Sequence, residues 1–198
     1  YGSDAIGGVI YFNPEKFADS KSFKGDFSQR LFSNTLGSSS SLGLKTSTDK
    51  WKFLVRGTYD THSDYQTGSN ERVTNTRYNE KDFKTALDYS NSQFSSVLRY
   101  NYNKLDLGIP EDGIEAQSES KITLFPRQGV ANHLLSWNNN FFFGTSKLEA
   151  SLGYVANDRS EFEDSDVAAL RMKLNTFNYD VKYHLPVFGN FESIFGIQ

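Results

Sequence analysis

A chain of 198 residues with 21 basic and 24 acidic side chains has a formal charge of -3, and this near balance excludes a basic nucleic-acid footprint. Without cysteine it has no disulfide framework and no thiolate zinc or redox chemistry, and no apolar run approaches the ~18 residues of a membrane-crossing helix. Its 17 Phe and 11 Tyr exclude the aromatic-poor disordered class, yet mean hydropathy is negative, a pairing expected when each strand shows one apolar and one wet face.

The chain opens Tyr-Gly-Ser-Asp-Ala-Ile-Gly-Gly-Val-Ile-Tyr-Phe over Tyr1 to Phe12. Gly2, Gly7 and Gly8 free the backbone for close approach, and Val9 to Phe12 form a β-type run, so the stretch reads as a glycine-hinged strand. After Pro14, residues 15–22 are polar and punctuated, which predicts a linker. Period-two alternation follows. Trp51, Phe53, Val55 and Tyr59 oppose Lys52, Arg56 and Asp60; Phe94, Leu98, Tyr100 and Tyr102 oppose Arg99, Asn101 and Asn103. Leu135, Trp137, Phe141 and Phe143 oppose Ser136, Asn138 and Asn140 in the same way.

This alternation predicts nine strands, at 23–33, 37–47, 51–61, 80–89, 93–105, 130–143, 147–157, 168–185 and 191–198. In the eighth, Leu170, Met172 and Leu174 are even-numbered but Phe177, Tyr179, Val181 and Tyr183 are odd, which predicts a β-bulge near Asn175. Connections alternate in length. Those at 47–50, 90–92, 144–146 and 186–190 are short, while 61–79, 106–129 and 157–166 are long; only the first on the long side, near 34–36, is tight. Tight turns at one end and extended loops at the other are the arrangement of bacterial outer-membrane barrels. The final run is expected to stop without a closing strand, so the chain reads as an internal piece of a larger protein.

Catalytic signatures are sparse. His62, His133 and His184 lie in different segments with no second histidine two or four residues away, so no metal site is expected, and no phosphate-binding, dinucleotide or serine-hydrolase motif occurs. Asp158, Glu161, Glu163, Asp164 and Asp166 offer oxygen donors of the type calcium takes, but without EF-hand spacing, and are expected to be a solvated acidic loop. The long loops supply the candidate ligand contacts: His62, Tyr65, Arg72, Arg77 and Tyr78 in one, Phe125 and Arg127 in the next, cations and rings suited to an anionic, ring-bearing ligand. Neither an enzyme activity nor a cofactor is expected.

Tyr1, Gly2, Ser3, Asp4, Ala5, Ile6, Gly7, Gly8, Val9 and Ile10 resemble, in order, the strand that ends the plug domain of TonB-dependent outer-membrane receptors. The resemblance implies a plug end at 1–14, a linker at 15–22, and at 23–198 the N-terminal part of an incomplete barrel. The fold class is then all-β, an antiparallel transmembrane β-barrel fragment of about nine strands out of ~22. It also implies a place in the bacterial outer membrane, contact with outer-membrane lipid, coupling to the TonB complex through a missing N-terminal part, and a small-molecule or metal-chelate ligand. Asp4 and Ile6-Gly7-Gly8 depart from the Tyr-Gly-x-Arg-Ala-Ala-Asn-Gly-Val wording of the glycan-importing SusC-like branch, which favours a ferric siderophore or cobalamin-like cargo. The plug residues themselves read as structural, Asp4 meeting backbone donors or a lumen arginine. A SusC-like glycan importer, a passive porin-type barrel and a soluble all-β binding module remain as alternatives.

Overall fold

The computed structural model describes residues 13–111 and 117–198. The proposed plug signature, Tyr1 to Ile10, lies outside the described residues.

Nine strands form one antiparallel sheet in sequence order: β1 (Ser22–Phe32), β2 (Gly37–Ser47), β3 (Trp51–His62), β4 (Tyr78–Ser90), β5 (Phe94–Gly108), β6 (Arg127–Phe143), β7 (Ser146–Phe162), β8 (Leu170–His184) and β9 (Ile194–Ile197). Each strand pairs with its neighbours in the chain, and β1 and β9 do not pair with each other, so the sheet is open. The turns at one end are set by local chemistry. Asn91 accepts from the backbone N–H of Gln93 and Phe94, each at 2.8 Å, an Asx turn, and Gly144 takes the left-handed φ of 62° that the tight β6–β7 hairpin requires. At the other end, 63–77 and 109–126 are long connections.

Register carries the predicted alternation from β1 through β6. Successive cross-strand partners share a face, so Phe27, Leu42, Gly57, Phe83, Tyr102 and His133 form one row and Asp26, Gly43, Arg56, Lys84 and Asn101 the row beside it on the opposite face. Among the described residues the apolar face meets no second sheet: Phe27 is 67% exposed, Trp51 50%, Trp137 45% and Phe177 62%. The fully covered apolar groups, Leu54 at 1% and Ala86 at 3%, lie instead on the polar face.

Two local expectations are corrected. No bulge occurs at Asn175: pairing of β7 with β8 runs unbroken from Lys147↔His184 to Glu161↔Leu170. The phase change is a true exchange of faces, because Leu170, Met172 and Leu174 share the polar face while Arg171, Lys173 and Asn175 share the apolar one, at the loop end where the apolar band has stopped. The short final connection at 186–190 is also longer than expected. It runs over 185–193, where Phe188 and Phe191 bridge around Gly189 (φ 60°), which leaves β9 only four residues. Conversely, β6 and β7 extend each other to the pair Arg127↔Phe162 and shorten the loop that follows.

Candidate functional site

The polar face is occupied. β2, β3 and β4 bring Lys45, Arg56 and Lys84 to neighbouring positions there, and Glu15, from the segment before β1, reaches all three. Arg56 holds it in a fork, Nη2 to Oε1 at 2.8 Å and Nε to Oε2 at 3.0 Å; Lys45 stands at 2.7 Å and Lys84 at 3.4 Å. The Arg56 hydrogen bonds, with those of Lys45, outweigh desolvation and hold the Glu15 carboxyl at about 2. Arg56 also reaches across Gly43 to Asp26, at 2.6 and 2.7 Å. A Cβ at Gly43 would come within 2.3 Å of that guanidinium, so glycine is what lets the arginine lie flat against the sheet.

The rest of the segment is fastened similarly. The Arg99 guanidinium lies 4.8 Å from the centre of the Phe17 ring and donates to the Glu15 carbonyl at 3.4 Å, and the buried Ala18 carbonyl accepts from the Ser47 hydroxyl at 2.8 Å. Residues expected to link two bodies therefore form a strap on the polar face.

A second centre lies among the loops. His62, at the end of β3, stacks on Tyr78 (4.6 Å) and meets Phe32 (4.9 Å), while Nδ1 hydrogen-bonds the Thr35 hydroxyl at 2.7 Å. Two residues on, Asp64 is fully buried; one oxygen accepts from the Arg77 backbone N–H and Nε, each at 3.0 Å, and the other from Nη2. Arg77 Nη1 then donates to the Ile122 carbonyl at 3.2 Å, which joins the 63–77 loop to the 109–126 loop. Asn75, left-handed at φ 63° and buried, repeats the connection by donating to the Ile109 and Pro126 carbonyls and accepting from the Leu124 N–H. It sits against Gly108, where a Cβ would fall 2.0 Å from its side-chain oxygen and 2.5 Å from its backbone oxygen.

The seven loop candidates separate into two sets. His62, Arg77 and Tyr78 belong to the packing beneath the loops, and Arg72 donates to the backbone carbonyls of Asn34 and Asp64. Tyr65 and Phe125 keep exposed rings, at 46% and 39%. Arg127 lies between the Phe125 and Phe162 rings, at 5.3 and 4.2 Å, and pairs with Asp166 at 2.9 Å. The acidic run is partly ion-paired, Asp158 to Lys173 at 3.2 Å and Glu161 to Arg159 at 2.6 Å. Among the described residues, the carboxylates close enough to share a cation are Asp60, Glu80 and Asp82 on the polar face, where Asn103 donates to the latter two at 2.6 and 2.8 Å.

Nothing in the sequence singles out Glu15, Asp64 and Asn75, because their partners lie far along the chain and carry no spacing signal; in Glu15 and Asp64 the acid is ordinary and only burial beside cations makes it matter. What the arrangement supplies is binding chemistry: guanidinium, ammonium and amide donors lining a wet face and the loops at its end. No protein-family model matches the chain, and comparison with curated proteins likewise returned no match.

Proposed function

We propose that this chain is the plug end and first barrel strands of a TonB-dependent outer-membrane receptor that imports a scarce, bulky nutrient, a ferric siderophore or a cobalamin-like ligand. The observation that carries the reading is the sheet's two-sidedness: an uncovered apolar band on one face, and a charged face fastened to the segment that leads in from the plug-like sequence.

Dimensions support it. On β3 the band runs from Trp51 to Tyr59, about 26 Å at ~3.3 Å per residue and about 23 Å of height at ~30° tilt, close to the ~25 Å apolar belt of outer-membrane barrels. Its upper limit also slips against the hydrogen-bonded rows. The row through Tyr59 continues as Lys81, Lys104, Ala131, Asp158 and Lys173, yet the band ends at Phe83, Tyr102, Leu135, Tyr154 and Phe177. By β8 the slip is four residues, about 13 Å across roughly 24 Å of sheet, the offset that strands tilted by about 30° make with a flat slab.

In this reading the wet face lines the lumen, ligand is taken by the outer loops and the plug, and coupled release moves the plug along a hydrated wall. Nothing in the cycle requires a bond to be made or broken. Reconstituted in liposomes, the intact parent protein is expected to show no steady conductance until the sequence through residue 21 is removed. Steady conductance from the intact protein would assign a passive porin instead.

A further inference from the structure

A cleft of about 750 Å³ lies on the apolar side of the sheet, just past the loop-end limit of the band. Lys81, Lys104, Lys121 and Arg127 line it against one carboxylate, Asp106. Lys104 stands 3.7 Å from Asp106 and Arg127 is paired with Asp166, while the Lys81 ammonium sits 5.9 Å over the Tyr59 ring. The far wall is held in place: Asn79 accepts from Thr61 at 2.6 Å and donates to the Lys121 carbonyl at 2.9 Å, and Arg77 donates to the next carbonyl from behind.

Directly below, and sharing Tyr59 and Lys81, is an open trough of about 470 Å³ walled by Phe27 and Leu42. It exists because Gly57 has no side chain in the row between Leu42 and Phe83, and the space a Cβ would take there has nothing within 4 Å. A cationic cleft over an apolar trough has the form of an amphiphile, and the trough is continuous with the exposed band. A soluble anion would need the cleft alone.

We propose that this pair of cavities binds a phosphate-bearing lipid of the leaflet at the loop end, its phosphates on Lys81, Lys104 and Lys121 and one acyl chain in the trough over Gly57. The site rests on the membrane reading given above. Each lysine near an anionic headgroup contributes severalfold in affinity, so the three together are worth on the order of 10- to 100-fold.

The test uses the parent protein in phosphatidylcholine nanodiscs carrying a small share of diphosphoryl lipid A or its dephosphorylated form, with bound lipid counted by native mass spectrometry. The wild type is expected to retain the diphosphoryl lipid over the dephosphorylated one. The K81Q/K104Q/K121Q variant should lose at least about tenfold of that preference, the triple arginine variant should keep it, and Gly57→Leu should weaken retention with the charges intact. Equal retention by the triple glutamine variant overturns the site, and so does complete displacement of the lipid by inorganic phosphate alone, which would mark a simple anion site. Quenching by brominated phosphatidylcholine in the same discs, in a parent variant whose one remaining tryptophan is Trp137, reads the membrane assignment separately. Its presence without a preference for the diphosphoryl lipid sinks only this site, and its absence sinks the membrane reading itself.

Discussion

Glu15 is the carboxylate whose ionisation the fold most visibly uses. Its folded value of about 2 lies below the ordinary 4.5, so its contribution to docking is fully present above pH 4.5 and is lost as pH falls toward 2. The shift corresponds to about 3 kcal/mol at ~1.4 kcal/mol per unit, an upper figure since the side chain keeps 17% of its exposure. Because residues 1–198 contain no cysteine, a spin label on Lys16→Cys, in the parent protein with any cysteines outside them replaced, reports the strap alone. The label should be immobilised at pH 6 and mobile near pH 2, and Glu15→Gln should make it mobile at both. A label equally immobile in the variant would show that Phe17 and Ala18 hold the strap without the charge. Glycines give a second residue-level contrast. Gly43→Ala displaces only the flexible end of Arg56 and should lower stability by about 1 kcal/mol, whereas Gly108→Ala drives into the Asn75 backbone and should cost more than 2 kcal/mol, both read from thermal unfolding in detergent.

Between elements, the buried Asp64 and Arg77 pair decides how the two long loops are held. Asp64→Ala leaves a guanidinium buried with a carbonyl as its remaining partner, and should destabilise by about 3–5 kcal/mol. Asn75→Ala loses neutral hydrogen bonds and should cost about 1–3 kcal/mol. Amide exchange at Ile122 and Leu124 should rise in both variants and that at Trp137 should not; a uniform rise would show that the loops unfold only with the sheet. The strands themselves are legible where a period of two shows, as in Trp51 to Tyr59, and the expected bounds of β2, 37–47, match the observed ones. Legibility failed where a neighbour decides: β6 and β7 lengthen each other, and β8 changes faces because its loop end has left the apolar band. The loop centre was legible only in composition. His62, Arg77 and Tyr78 were singled out as a mixture of cations and rings, but that mixture gave no sign that Asp64 would bury Arg77 rather than leave it to a ligand.

At the scale of the molecule the question is what covers the apolar face, and the chain carries its own probes. Its two tryptophans, Trp51 and Trp137, both lie on that face. Trp51 stands at the turn-end limit of the band, its ring tilted against that of Tyr89 at 4.6 Å, four residues from the middle of the stretch that ends at Tyr59. At ~3.3 Å per residue and a ~30° tilt this is about 11 Å from the band's midline. Trp137, two residues from the middle of the Leu135 to Phe143 stretch, is about 6 Å from it and anchors its indole on the Ser96 hydroxyl at 2.8 Å. In the parent protein with any tryptophans outside residues 1–198 replaced, single-tryptophan variants made by Trp51→Phe and Trp137→Phe should therefore respond to depth. Lipids brominated far down the acyl chain should quench Trp137 more strongly, and those brominated near the headgroup should quench Trp51 more strongly. Quenching of neither would mean that protein, not lipid, covers the band. Equal quenching at every depth would mean the sheet lies along the membrane rather than across it. A reversed order would place the midline elsewhere on these strands and with it the lysine cleft, so one pair of variants tests the face, its tilt and the height of the loop-end cations together.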